Sequence, residues 1–127
     1  NDLEACGGLV VVHPDWWGGP PALLKGWVDR VFRPGLAYEH EGAEFMAKRA
    51  RGLLADKRAL VLATTDSQAG APALEAFWRE GVFAFCGLER SEVRLLRGLR
   101  EASSAERTAW LEQAAQAAVD WFAGGRP

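Results

Sequence analysis

At 127 residues the chain is long enough for one domain with one core and too short for two. Its 49% apolar and 25% charged residues are those of a globular protein. A net charge of −2 leaves no electrostatic case for nucleic acid or an anionic membrane surface. The basic groups Lys48-Arg49-Ala50-Arg51 and Arg94 to Arg100 alternate with apolar or small residues and read as solvated faces. Cys6 and Cys86 lie far apart, with no CxxC and no His, Asp or Glu at ligand spacing. No metal site is expected, and both cysteines read as buried thiols of a reducing compartment. No apolar run approaches the roughly 18 residues of a membrane span, so no integral membrane segment is expected. No secretory leader is apparent either, which makes cytoplasmic the default. Six Trp is high usage, and two of them are adjacent in a Gly/Pro-rich turn. Asn1 in place of Met points to processing or to an absent upstream segment.

In chain order, Asp2 to Cys6 reads as the tail of a short helix stopped by Gly7-Gly8. Leu9-Val10-Val11-Val12, β-branched and bounded by Gly and Pro, reads as a strand buried on both faces. The turn His13 to Gly19 follows, and Pro20-Pro21 opens a helix, where proline's missing N–H has no partner to lose. Leu24, Trp27, Val28, Val31 and Phe32 form one apolar stripe on it, and Arg33-Pro34-Gly35 ends it. Residues 36–57 read as a longer connection, with a helical turn around Phe45 to Leu54. Arg58 to Ala63 repeats the strand pattern and runs into the polar turn Thr64-Thr65-Asp66-Ser67-Gln68. Pro72 starts a second helix carrying Leu74, Phe77, Trp78, Val82 and Phe85, closed by Gly87. Glu92 to Leu96 is a weaker third strand. The last helix begins at Ser103 or Ser104, where Ser103-x-x-Glu106 fits a capping box, and runs to Gly124-Gly125.

Strand–helix alternation implies a parallel sheet with helices on both faces, doubly wound by right-handed crossovers. Three strands are few for such a sheet, and the first would carry an open edge. Ligands of open α/β sheets bind at the carboxyl ends of the strands. Two turns there carry chemistry. His13 to Gly19 offers two indoles, glycines that admit close backbone approach, and N–H groups; Thr64 to Gln68 offers hydroxyls and N–H groups. Side by side on one rim they make a single pocket suited to a planar heterocycle. From spacing alone, the Trp pair also fits core or interface packing, and Thr-Thr-Asp-Ser also fits a helix cap.

Pro14-Asp15-Trp16-Trp17-Gly18-Gly19-Pro20-Pro21-Ala22-Leu23-Leu24-Lys25-Gly26-Trp27-Val28-Asp29-Arg30-Val31 resembles the P-x-W-W/F-x-x-P-A-x-L-K-G-W-x-D/E-R-V signature of the NAD(P)H dehydrogenase (quinone) family. Pro34 to Tyr38 resembles its G-x-A-Y element, and Phe85-Cys86-Gly87-Leu88 its F-C-G-x element. The similarity spans about residues 2–122. It implies a flavodoxin-like α/β/α sandwich with a parallel sheet, of which residues 1–127 are the C-terminal two-thirds, lacking the first strands and helices. It also implies bound FMN, or FAD, reduced by NAD(P)H and reoxidised by a quinone or similar acceptor. Carried over by position, Pro14, Asp15, Trp16, Trp17 and Gly18 would lie against the flavin ring, with Thr64, Thr65, Asp66 and Ser67 on the second turn. Tyr38 and His40 would reach the active site of a partner subunit, implying a homodimer.

Departures from the family pattern are informative. Gly18 stands where relatives carry a second aromatic residue, which would widen the pocket. Asp66-Ser67 replace two glycines, and the Asp66 side chain is expected to point away from the flavin. The Tyr and His that serve hydride transfer in some quinone reductases have no match, so no catalytic residue is assigned. The phosphate-holding turn that opens the family's fold is absent, so the chain by itself is expected to be a fragment that retains little flavin. A non-enzymatic ancillary subunit of the potassium-efflux type is the alternative, with an electron-transfer flavodoxin a more distant third.

Overall fold

The computed structural model describes residues 2–41, 49–67 and 71–123. Strands β1 (Gly8–Pro14), β4 (Arg58–Thr65) and β5 (Arg90–Arg97) form one parallel sheet in the order β1-β4-β5. Its register sets Val11 beside Val61 and Val61 beside Val93. A separate antiparallel hairpin joins β2 (Tyr38–Glu41) and β3 (Arg49–Gly52). Helix α1 (Asp2–Ala5) precedes the sheet, α2 (Ala22–Val31) links β1 to the hairpin, and α3 (Pro72–Ala76) follows β4. The long α4 (Ser104–Ala123) closes the described chain. The expected Gly124-Gly125 stop lies outside the described residues.

Two apolar layers sandwich the sheet. Val11, Val61, Ala63 and Val93 share a core with Val28 and Phe32 on one side and with Leu74, Trp78 and Phe83. Leu60 and Leu62 point to the opposite face, where Ala117 of α4 covers them. This is the expected three-layer α/β/α arrangement. The Ser103 capping box is present as well: the Ser103 N–H donates to Glu106 Oε2 at 2.7 Å, and the Glu106 N–H donates to Ser103 Oγ at 3.2 Å. The buried Lys57 Nζ donates to the carbonyls of Glu4 and Cys6 at 3.1 and 3.0 Å, a cation at the C-terminal end of α1.

Three expectations are corrected. β1 is not buried on both faces: Val10 and Val12 are 41% and 71% exposed, while Val11 and His13 are buried. Continuous burial belongs instead to the central strand β4, from Ala59 to Ala63. β1 and β5 are the outer described strands of the sheet, and the α4 contacts center on Leu60 and Leu62 of the central β4. Second, no helical turn reaches Leu54. Arg49–Gly52 is a strand, stapled by the Arg51–Glu39 ion pair and by the Leu53 N–H on the Ala37 carbonyl; residues 42–48 of that expectation lie outside the described residues. Third, Cys6 is only half-buried, whereas Cys86 is buried; both are free thiols.

The helix after Pro72 also departs from its expected stripe. From Phe77 to Ala84 it widens into a π-helix. In an α-helix, residues five apart diverge around the axis. Here Trp78 and Phe83, both fully buried, stack with ring centroids 5.3 Å apart, so the wide turns put an i, i+5 aromatic pair in the core. Phe83 takes the place expected of Phe85, which is exposed.

The hairpin meets the domain at a glycine contact. A Cβ on Gly52 would lie 2.3 Å from the carbonyl carbon of Cys86 and 2.3 Å from the nitrogen of Gly87. Neither backbone atom can rotate aside. Gly52→Ala is therefore expected to destabilize the fold by about 1–3 kcal/mol, measured by urea unfolding against wild type. An unchanged midpoint would show that the hairpin docks loosely.

Burial pushes the Cys86 thiol up to about 11, while an unfolded thiol ionizes near about 8.5. The folded state thus favors the neutral form. Its contribution is complete below about pH 8.5 and is lost as pH rises through about 11. Cys86→Ala should flatten the decline of unfolding free energy across that window, and an identical slope in both proteins would refute the assignment.

Candidate functional site

The carboxyl ends of β1 and β4 are locked together by short polar contacts. The Asp15 N–H donates to the Thr64 carbonyl at 2.7 Å, extending the ladder one residue past β1. Asp15 Oδ2 accepts the Thr65 hydroxyl at 2.8 Å, and its Oδ1 accepts the Gly18 N–H at 2.9 Å. Thr65 Oγ1 in turn accepts the Ser67 N–H at 3.0 Å. Charge-assisted bonds of this kind are among the stronger ones in a fold. Asp15 thereby braces both turns.

The first turn is strained. Trp16 and Gly19 exchange backbone hydrogen bonds at 2.9 and 3.3 Å around Trp17 (φ 59°) and Gly18 (φ 80°). Two successive left-handed residues match a type I′ turn, which suits Gly, Asn or Asp. A Trp there is disfavored by about 1–2 kcal/mol. Its ring gains no packing in return, being 103% exposed, and Trp16 beside it is exposed as well. Gly18 is required on two grounds: its positive φ, and an Ala73 Cβ that would lie 2.9 Å from an added Cβ. Beneath the turn, the buried His13 accepts the Trp78 indole N–H on Nε2 at 2.9 Å. An indole only donates, so the ring proton sits on Nδ1, which lies 2.8 Å from the Pro14 carbonyl and donates to it. His13 thus ties the end of β1 to the π-helix.

A cleft of about 600 Å³ opens above this framework. Eight of the nine residues expected to face one ligand line it: Pro14, Asp15, Trp16 and Trp17 from the first turn, and Thr64, Thr65, Asp66 and Ser67 from the second. Gly18 sits in the turn without lining the cleft, and Gln68 lies outside the described residues. Leu99 and Arg100, from the turn after β5, complete the wall and were not expected. The strand-end rule would have found them, since β5 delivers its following turn to the same rim. Asp66 does not stand alone. Its Oδ1 accepts the Arg100 N–H at 3.1 Å, and its Oδ2 lies 3.0 Å from Arg100 Nε.

Tyr38 and His40 are elsewhere. Tyr38 lines a separate hollow of about 300 Å³ with Lys25, Phe77 and Phe85, its ring edge-on to Phe85 at 4.7 Å and to His40 at 5.3 Å. Among the described residues no group of His, Cys, Asp and Glu is placed to hold a metal, and no helix is long and apolar enough to cross a membrane. The cleft walls carry two indoles, three hydroxyl side chains, two carboxylates and one guanidinium, groups that can stack on or hydrogen-bond a flat ligand.

A doubly wound α/β domain with an aromatic cleft at its strand ends is the class defined so far. Residues 1–121 match the family model described as flavodoxin-like fold. The chain is 33% identical over 115 residues to an uncharacterized NAD(P)H oxidoreductase of Haemophilus influenzae, covering 85% of this chain and 54% of that protein. It is 37% identical over 54 residues to an FMN-dependent NADH:quinone oxidoreductase of Beijerinckia indica, covering 42% and 24%. The crystal structure of Smu.1420 from Streptococcus mutans superposes with a TM-score of 0.75 at 25% identity, covering 90% of this chain and 60% of that one. The chain belongs to the flavodoxin-like fold family. It spans about half the length of the Haemophilus relative.

Strain at an exposed residue separates stability from binding. Trp17→Gly is expected to raise unfolding stability by about 1 kcal/mol, since glycine adopts the turn freely and no contact is lost. A drop in stability instead would mean that the indole packs in solution.

Proposed function

We propose that the cleft holds the ring system of a flavin, FMN in preference to FAD, and that the protein containing this chain passes electrons from NAD(P)H through that flavin to a quinone-like acceptor. The observation that carries this reading is Trp17. A strained backbone that displays an indole to solvent, beside a second exposed indole, has no folding rationale and an evident binding one. The residues present fit a flat heterocycle: Trp16 and Trp17 offer stacking faces, while the polar Thr64 to Ser67 turn forms the wall facing a polar ring edge.

When bound, the flavin supplies hydride acceptance and electron release. The chain's own residues position it. Asp15, with both oxygens committed to Thr65 and Gly18, fixes the spacing between the two turns, and His13 holds the Pro14 carbonyl from below. The indoles shield the ring from water on their side. Tyr38 and His40, outside the cleft, are left for the site of a second copy in a homodimer, and the free thiols of Cys6 and Cys86 fit a cytoplasmic setting.

The purified full-length protein containing this chain should carry the visible absorption band of a flavin, which NADPH bleaches under nitrogen and menadione restores. Bound flavin that NADPH leaves oxidized would favor the ancillary, non-enzymatic role. A preparation that neither carries nor takes up flavin would sink the cleft assignment itself.

A further inference from the structure

Three ionizable residues line the cleft: Asp15, Asp66 and Arg100. Each carboxylate has both oxygens engaged within the protein, Asp15 by Thr65 and Gly18, Asp66 by the Arg100 N–H and Nε. Arg100 differs. A guanidinium carries five N–H donors, and among the described residues only its Nε–H is taken. Among the described residues its two Nη groups have no partner, and the side chain is 87% exposed. The local fold aims it at the rim. Gly98, at φ 75°, donates its N–H to the Thr65 carbonyl at 3.0 Å and turns the chain back across the end of β4, where the Ala102 N–H closes on the Gly98 carbonyl. Asp66 then fixes the root of the side chain through the backbone and Nε together.

We propose that Arg100 is the anion-recognizing residue of this cleft, its free Nη fork meeting the electronegative edge of the ring that the indoles stack. This deepens the flavin reading and rests on it. A planar fork matches two adjacent acceptor atoms on a ring edge better than a point charge does, which is why Arg and not Lys is informative here. Arg100 also answers the presence of Asp66. A lone carboxylate on this wall would repel an electron-rich edge, and the ion pair cancels that charge. An exposed ion pair is individually weak, so Arg100 is free to share itself with a ligand.

Equilibrium titration of the full-length apoprotein containing this chain with riboflavin and with FMN, read by quenching of flavin fluorescence, tests this. Arg100→Gln should weaken binding of both flavins by about tenfold or more, and Arg100→Lys should restore part of it. Asp66→Asn keeps an oxygen for the Arg100 N–H but removes the opposing charge, and should bind as well as wild type or better. Equal affinity of wild type and Arg100→Gln for both flavins would overturn the proposal while leaving the flavin reading intact. So would a parallel loss in Asp66→Asn, which would make Arg100 a mere support for Asp66. A loss confined to FMN would move the contact to the phosphate and overturn the assignment to the ring edge. No quenching by the unsubstituted protein would overturn the flavin reading, and this proposal with it.

Discussion

The Asp15 brace is the constraint on which the cleft depends. Parallel strands deliver their following turns to one rim, but the sheet alone sets no spacing between those turns. Asp15 supplies it, joining the β4 carbonyl ladder through its backbone, Thr65 through one oxygen and Gly18 through the other. Thr65 is buried, so this polar bridge is shielded from competing water, where hydrogen bonds to a charged group hold best. With it in place, the rim is a wall of fixed width rather than two loops.

The brace also explains why the strained turn persists. Trp17 takes a left-handed backbone only because the flanking Trp16–Gly19 bonds and the Asp15–Gly18 contact hold it from both sides. Below, the His13–Trp78 bond and the Trp78–Phe83 stack fix the end of β1 to the π-helix. Strain at the surface is thus set against a dense aromatic core. That is the usual arrangement where a protein holds a residue in place for a ligand.

Much of this was legible in the sequence. Alternation of apolar runs with Pro- and Gly-bounded turns identified the strands of the sheet and their helices, and the Ser103-x-x-Glu106 spacing placed the start of α4 to within a residue. The Trp16-Trp17 and Thr64-Thr65 turns were recognized as one pocket because both follow parallel strands. Other features were not legible. Arg49–Gly52 carries no apolar alternation, and its strand exists because Tyr38–Glu41 pairs with it and Gly52 fits against Cys86 and Gly87. The exposure of Val10 and Val12 depends on which strand α4 covers, and the widening at Phe77 on which aromatic rings stack.

By itself, then, the sequence determined the order of the sheet strands and their helices, the Ser103 cap and the two turns at the strand ends, because periodicity and turn chemistry act over a few residues. Tertiary structure alone decided which side chains meet across 34 to 65 positions of chain: Arg100 with Asp66, Trp78 with His13, Thr65 with Asp15. Those contacts follow from strand order and register, which fix distance in space independently of distance along the chain.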